Sequence, residues 1–123
     1  MEARSGRGRR RAAMAHSVRE ERGILVVSFE GDVDLEYSPR ARRILLDSVK
    51  QRRDVLVDLS GVGYIDSSGV ANLVEAFQLS REKGTGFALV SVNPAALRVL
   101  QLARLDRVFS IHASLEDGFD GGT

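Results

Sequence analysis

A chain of 123 residues with 43% hydrophobic and 28% charged residues suits one globular domain built on a single core. It has no cysteine, which excludes disulfides, thiolate metal sites and thiol nucleophiles. The formal net charge of +1 hides an asymmetry: Arg4, Arg7, Arg9, Arg10 and Arg11 against Glu2 put +4 on the first eleven residues, which leaves −3 on the rest.

Residues 1–14 are mostly arginine, glycine and alanine and offer nothing to bury, so they read as a disordered basic arm. No aromatic or helical pattern accompanies the arginines, so a solvated tail is preferred to an arm that contacts nucleic acid directly. Met14 offers an alternative start of translation. No apolar run approaches the ~20 residues that cross a bilayer. No apolar stretch follows the N-terminal charges, so neither membrane insertion nor a secretory signal is expected, and the expected location is the cytoplasm.

A first edge strand is expected from Val18. Arg22-Gly23 is a turn signal, and Ile24 to Phe29 is a β-branched strand, so the chain opens with a hairpin. Gly31-Asp32-Val33-Asp34 should leave that strand towards a helix. Ser38-Pro39 starts the helix, with Ser38 as cap and Pro39 at the first helical position. Ala41, Ile44, Leu45, Ser48 and Val49 recur at helical spacing, and the helix should end near Arg52. Val55 to Val57 is a short buried strand that breaks into a turn at Ser60, Gly61 and Gly63.

Asp66-Ser67-Ser68-Gly69 then stands at the start of a second helix. Its apolar stripe is Val70, Leu73, Val74 and Phe77, and Gly84-Thr85-Gly86 stops it after Lys83. Phe87 to Val90 is the next buried strand. Asn93-Pro94 caps a third helix with Ala96, Leu97, Leu100 and Ala103 on its inner face. Val108 to Ile111 is a last short strand, Ser114 to Gly118 a final helical turn, and residues 119–123 a disordered tail. The order β-β-α-β-α-β-α-β predicts an α/β fold: a mixed sheet of about five strands, an opening antiparallel hairpin followed by βαβ units, and three to four helices.

Most catalytic chemistry lacks its residues here. His16 and His112 are the two histidines, and neither stands at ligand spacing from another ligand, so no metal site is expected. Glycines do not flank Ser67 or Ser68 as a hydrolase elbow requires. No phosphate-cradling glycine motif occurs, so no nucleotide or other cofactor is expected on this chain. Asp58 follows a buried strand as a phospho-accepting aspartate would, but no lysine follows the strand at Phe87 to Val90.

By residue type, Asp66-Ser67-Ser68-Gly69 is first of all a helix cap. A cap needs one polar residue, however, and three stand in a row. A spare hydroxyl at an exposed helix start suits phosphorylation, and the helix N-terminus should tolerate the phosphate through its free N–H groups and dipole.

The strand, the turn through Val62-Gly63-Tyr64-Ile65 and the Asp66-Ser67-Ser68-Gly69 motif together resemble the signature of the STAS domain, above all its stand-alone bacterial form, the anti-sigma factor antagonist. Gly31-Asp32-Val33-Asp34 resembles that family's other acidic turn, and Asn93-Pro94 to Leu105 followed by Val108-Phe109 resembles its last helix and strand. The resemblance covers roughly residues 17–117, and the STAS domain is placed at 15–118.

It implies a non-enzymatic partner switch. The unphosphorylated chain would bind an anti-sigma factor that is also a serine kinase, and so free a sigma factor. The kinase, supplying the ATP, would phosphorylate Ser67 and be released, and a phosphatase would reset the chain. Asp34, Asp66, Ser67, Ser68 and Gly69 would form the partner-binding surface. The chain departs from the family where Val70-Ala71 and Asn72 follow the motif, since a second glycine is usual there. The alternative is an accessory subunit of a phospholipid-transporting ABC transporter, bound to its ATPase.

Overall fold

The computed structural model describes residues 15–121. The basic arm expected over residues 1–14, with its alternative start at Met14, and the last two residues lie outside the described residues. Strands β1 (Ala15–Glu21) and β2 (Ile24–Val33) pair antiparallel. Arg22 and Gly23 between them both take positive φ, 56° and 78°. Such a two-residue turn matches the twist of a hairpin. β1 starts at Ala15, not at Val18, because its extent is set by backbone pairing with β2 (Ala15 opposite Glu30) and not by an apolar pattern of its own.

β2 is also longer than expected. It runs through Gly31-Asp32-Val33, so the acidic turn begins only at Asp34. Helix α1 (Ser38–Val49) follows, with Tyr37 in the cap position and no capping side-chain bond. Ser38 is therefore the first helical residue and not the cap; it is buried, and its hydroxyl accepts from Asn72. α1 ends at Val49, before Arg52, whose positive φ of 61° belongs to the turn that follows.

Strand β3 (Val55–Ile65) is the main correction. It continues through Ser60, Gly61 and Gly63, where a turn was expected. Parallel pairing with β2 persists to Val33 opposite Ile65, through two register shifts. A Cβ at Gly61 would lie 2.7 Å from Glu30 Cγ and 3.2 Å from Phe29 O, so this glycine lets the strands close up and does not turn the chain.

Helix α2 (Ser67–Lys83), strand β4 (Phe87–Val90) and helix α3 (Pro94–Leu102) follow. Asn93 caps α3 by accepting from Ala96 N–H at 2.8 Å. The inner face of α3 holds Ala96 and Leu100 with Val99 packed beside them; Ala103 is exposed beyond its end. A 3-10 turn (Leu105–Arg107) leads to strand β5 (Ser110–His112). Val108 thus lies before the strand, and Phe109 is buried against Phe77 and Phe87, with ring centroids 5.5 and 6.2 Å away.

Among the described residues the sheet has five strands in sequence order, β1-β2-β3-β4-β5, with every pair after the first parallel. One face packs Leu25, Val27, Phe29, Val55, Val57 and Leu89 against α1, α2 and α3. Leu56, Ala88 and Val90 face the other way and are covered by Leu115 and Phe119 of helix α4 (Leu115–Gly121). α4 reaches three residues past the expected domain end at 118. Phe119 has a surface to bury, and Arg22 ties it down, its guanidinium 4.7 Å from the Phe119 ring centroid and 3.3 Å from Glu116.

Candidate functional site

The adjacent parallel strands β2 and β3 end side by side, and Asp66 N–H donates to Val33 O at 3.2 Å as the last rung between them. Asp66 is then the N-cap of α2. One carboxylate oxygen, Oδ1, accepts from Ser68 N–H at 2.9 Å, Gly69 N–H at 3.2 Å and the Ser68 hydroxyl at 2.5 Å. Partial burial pushes the carboxyl's pKa up, but the bonds from Ser68, Gly69 and the Leu35 backbone N–H outweigh it and hold the group below the ordinary carboxylate value.

The two serines therefore differ. The Ser68 hydroxyl is turned in and donated to Asp66. Ser67 is exposed, and its hydroxyl makes no hydrogen bond among the described residues. The helix end also differs from the expectation: the N–H groups of Ser68 and Gly69 are taken by Asp66 and are not open to a phosphate. Gly69 is buried where α2 meets the strand ends. A Cβ there would lie 2.8 Å from both Ile65 Cγ1 and Val33 Cγ1 and 3.0 Å from Val33 O. Gly69→Ala should cost about 1–3 kcal/mol in a urea melt, because the helix start must move off the sheet; an unchanged midpoint would show that the contact gives way freely.

The cap makes a pH-dependent prediction. A carboxylate with a depressed folded pKa stabilises the fold above its unfolded pKa, and that stability is lost as pH falls through the folded value. Asp66→Ala should cost about 1 kcal/mol at neutral pH. The difference from wild type should shrink as pH is lowered through and below the ordinary carboxylate range. A difference that stays constant down to the acid limit of folding would refute the cap.

Asp34 lies half-buried on the β2–α1 loop. Its carboxylate accepts from Tyr37 N–H at 3.2 Å and its carbonyl from Tyr37 and Ser38 N–H at 3.1 and 2.9 Å. An open depression of about 600 Å³ is lined by Asp34, Leu35, Glu36, Tyr64 and Asp66, so the two motif aspartates share one rim. Ser68 lines a neighbouring depression with Ala71 and Asn72.

Leu35, Glu36, Tyr64 and Asn72 escaped the sequence reading as site residues. Leu35 is an apolar residue in an otherwise polar loop, which was a readable signal. Tyr64 points outward from β3, but the expected turn concealed its strand position. Asn72 is buried, its side-chain amide donating to Ser38 O and Ser38 Oγ, each at 2.8 Å, and only the three-dimensional contact shows this.

The other candidates serve the scaffold. Asp58 accepts from Ser60 N–H at 2.9 Å and from the Ser28 hydroxyl at 3.4 Å. His16 Nδ1 lies 3.2 Å from the Tyr37 hydroxyl. Among the described residues no cluster of three or more His, Cys, Asp or Glu could hold a metal ion, and no helix is long and apolar enough to cross a membrane.

A strand-ended Asp-Ser-Ser-Gly cap, with an acidic turn beside it on a mixed five-stranded sheet, defines the class. The family model described as the STAS domain matches residues 15–118, and the chain belongs to that family. It is 27% identical over 93 residues to the anti-sigma F factor antagonist of Paenibacillus polymyxa, covering 74% of this chain and 80% of that one. It is 25% identical over 101 residues to the anti-sigma-B factor antagonist of Bacillus subtilis (strain 168), covering 82% and 93%. The crystal structure of an anti-sigma factor antagonist from Mycobacterium paratuberculosis superposes with a TM-score of 0.83 at 26% identity, covering 89% of this chain and 93% of that one.

Proposed function

We propose that this chain is an anti-sigma factor antagonist that works by partner switching in the cytoplasm. In its unmodified form it binds an anti-sigma factor that is also a serine kinase, and so frees a sigma factor. The kinase brings ATP. The Ser67 oxygen attacks the γ-phosphorus, the bond to the β–γ bridging oxygen breaks, ADP leaves, and the hydroxyl proton passes to a base of the kinase. The modified chain lets go, and a phosphatase hydrolyses the ester to restore it. The chain is substrate and ligand, with no catalytic step, cofactor or nucleic-acid contact of its own.

One observation carries the assignment to Ser67: of the two adjacent serines, its hydroxyl is the exposed one without a hydrogen bond among the described residues, whereas that of Ser68 is bound to Asp66. Asp66 already occupies the N–H groups of Ser68 and Gly69, so a phosphate on Ser67 adds its charge of about −1.5 to −2 to a surface that holds Asp34, Glu36 and Asp66.

Capture on the immobilised full chain tests this reading. It should retain an anti-sigma factor kinase, identified by mass spectrometry, that elutes when ATP is added. Recovery of a transporter ATPase in its place, or no kinase at all, would contradict it.

A further inference from the structure

The parallel strands β2 to β5 start at one end of the sheet: Leu25 pairs with Val55, Val55 with Phe87, and Ser110 with Ala88. The loops that leave α1, α2 and α3 gather at that end, and they are rich in cations. Lys50 and Arg52 follow α1, Arg81 and Lys83 close α2, and Arg104 and Arg107 follow α3, against Asp54, Glu82 and Asp106. Among the described residues none of these six cations forms an ion pair. By contrast, Arg53 on the same loop as Arg52 is paired with Glu20, and Arg22 of the hairpin with Glu116.

Helix dipoles account for only part of this charge. A cation offsets the dipole within the last turn of a helix. Of the three helices, only α2 has basic residues there. Backbone preference does not account for Arg52 and Arg104 either. Both have a φ of 61°, in the left-handed region that glycine enters without strain. Arg22 shares that conformation, and its side chain holds Glu116 and Phe119. The side chains of Arg52 and Arg104 hold no partner among the described residues.

Two aliphatic side chains are exposed on the same loop as Arg104 and Arg107. Leu102, 78% exposed, ends α3, and Val108, 44% exposed, follows Arg107. Val108 also lines an open cleft of about 290 Å³ with Arg81, Thr85 and Ser110.

We propose that this end of the sheet docks on the surface of an anionic phospholipid bilayer, with its lysines and arginines at the headgroup phosphates and Leu102 and Val108 in the interfacial layer. Charge selects an anionic occupant, and the aliphatic side chains select among anions. Single-stranded nucleic acid is held by exposed aromatic rings that stack its bases, whereas the large hydrophobics exposed at this end are leucine and valine. A duplex takes a helix or a two-stranded ribbon into its groove, whereas α1, α2 and α3 present only their C-terminal ends here. In a headgroup layer each cation adds to the attraction while the aliphatics enter the acyl boundary. β3 runs 11 residues from this end to Ile65, roughly 35 Å, so the surface is separate from Ser67 and leaves it facing away from the bilayer. Its docking does not depend on the partner-switching function.

Co-sedimentation of the full chain with vesicles tests this. Vesicles of phosphatidylglycerol mixed with phosphatidylcholine should bind it at least about tenfold more tightly than phosphatidylcholine alone, and added salt should release it. The first eleven residues carry +4 of their own, so the variants decide. Arg52→Gly combined with Arg104→Gly should cut binding to the mixed vesicles at least about tenfold, while the melting temperature holds or rises because glycine suits the left-handed backbone. Leu102→Ser should cut it at least about threefold with the melting temperature unchanged. Arg40→Gln combined with Arg43→Gln removes the same charge from exposed positions in the first half of α1 and should leave binding within about twofold. No preference for phosphatidylglycerol, or an equal loss in the two double variants, would overturn the docking surface. So would binding of a single-stranded DNA oligonucleotide that the glycine variant loses while its vesicle binding is unchanged.

Discussion

Replacing Ser67 by alanine should abolish phosphate transfer from the kinase while leaving the fold intact. The lost hydroxyl makes no hydrogen bond among the described residues and faces solvent, and alanine is the better helix former by roughly half a kcal/mol, so stability should hold or rise slightly. Ser68→Ala is the matching control. It removes a hydroxyl 2.5 Å from Asp66 Oδ1, which loosens the cap but leaves the acceptor in place. Phosphopeptide mapping reads the result. Phosphate on residue 67 that persists at wild-type yield in Ser68→Ala and vanishes in Ser67→Ala fits the proposal. Phosphate at Ser68 in the wild-type chain would overturn it.

Ser67→Asp should weaken the complex with the kinase at least about tenfold, and phosphorylation should weaken it further. The physical reason lies in what surrounds the hydroxyl. A helix N-terminus ordinarily welcomes an anion through its unpaired N–H groups and dipole. Here Asp66 has already taken the N–H groups of Ser68 and Gly69. A second negative group at residue 67 meets a carboxylate neighbour and has those donors closed to it, so its charge projects outward. Aspartate adds one charge and phosphate nearly two, at the surface where the partner docks. A like or unpaired charge buried at an interface costs several kcal/mol, enough for dissociation without any unfolding of the domain.

Much of this fold was legible in the sequence. β-Branched runs such as Ile24 to Phe29 marked strands that are buried mainly on the helix side, and Asn93-Pro94 marked a true helix start. The errors share a cause. Gly31, Gly61 and Gly63 were read as turn residues from local preference, but the pairing of β2 with β3 extends both strands through them. Gly61 is there for closeness to Glu30, and closeness is a tertiary fact. Ser38 looked like a cap by type and is instead a buried acceptor for Asn72, a partner 34 residues away. Phe119 was assigned to a tail because the final helical turn was ended at Gly118; its place is set by Leu56, Ala88 and Val90 on the far side of the sheet.

The site divides in the same way. The motif Asp66-Ser67-Ser68-Gly69 could be found by residue type and spacing, as could Asp34. Which serine is tied down could not, since that depends on the direction of one hydroxyl.

The most direct measurement of the switch is a calorimetric titration of the kinase with the full chain before and after stoichiometric phosphorylation at Ser67. The account predicts tight binding of the unmodified chain and an affinity lower by at least about tenfold for the phosphorylated one. Equal dissociation constants for the two forms would contradict it.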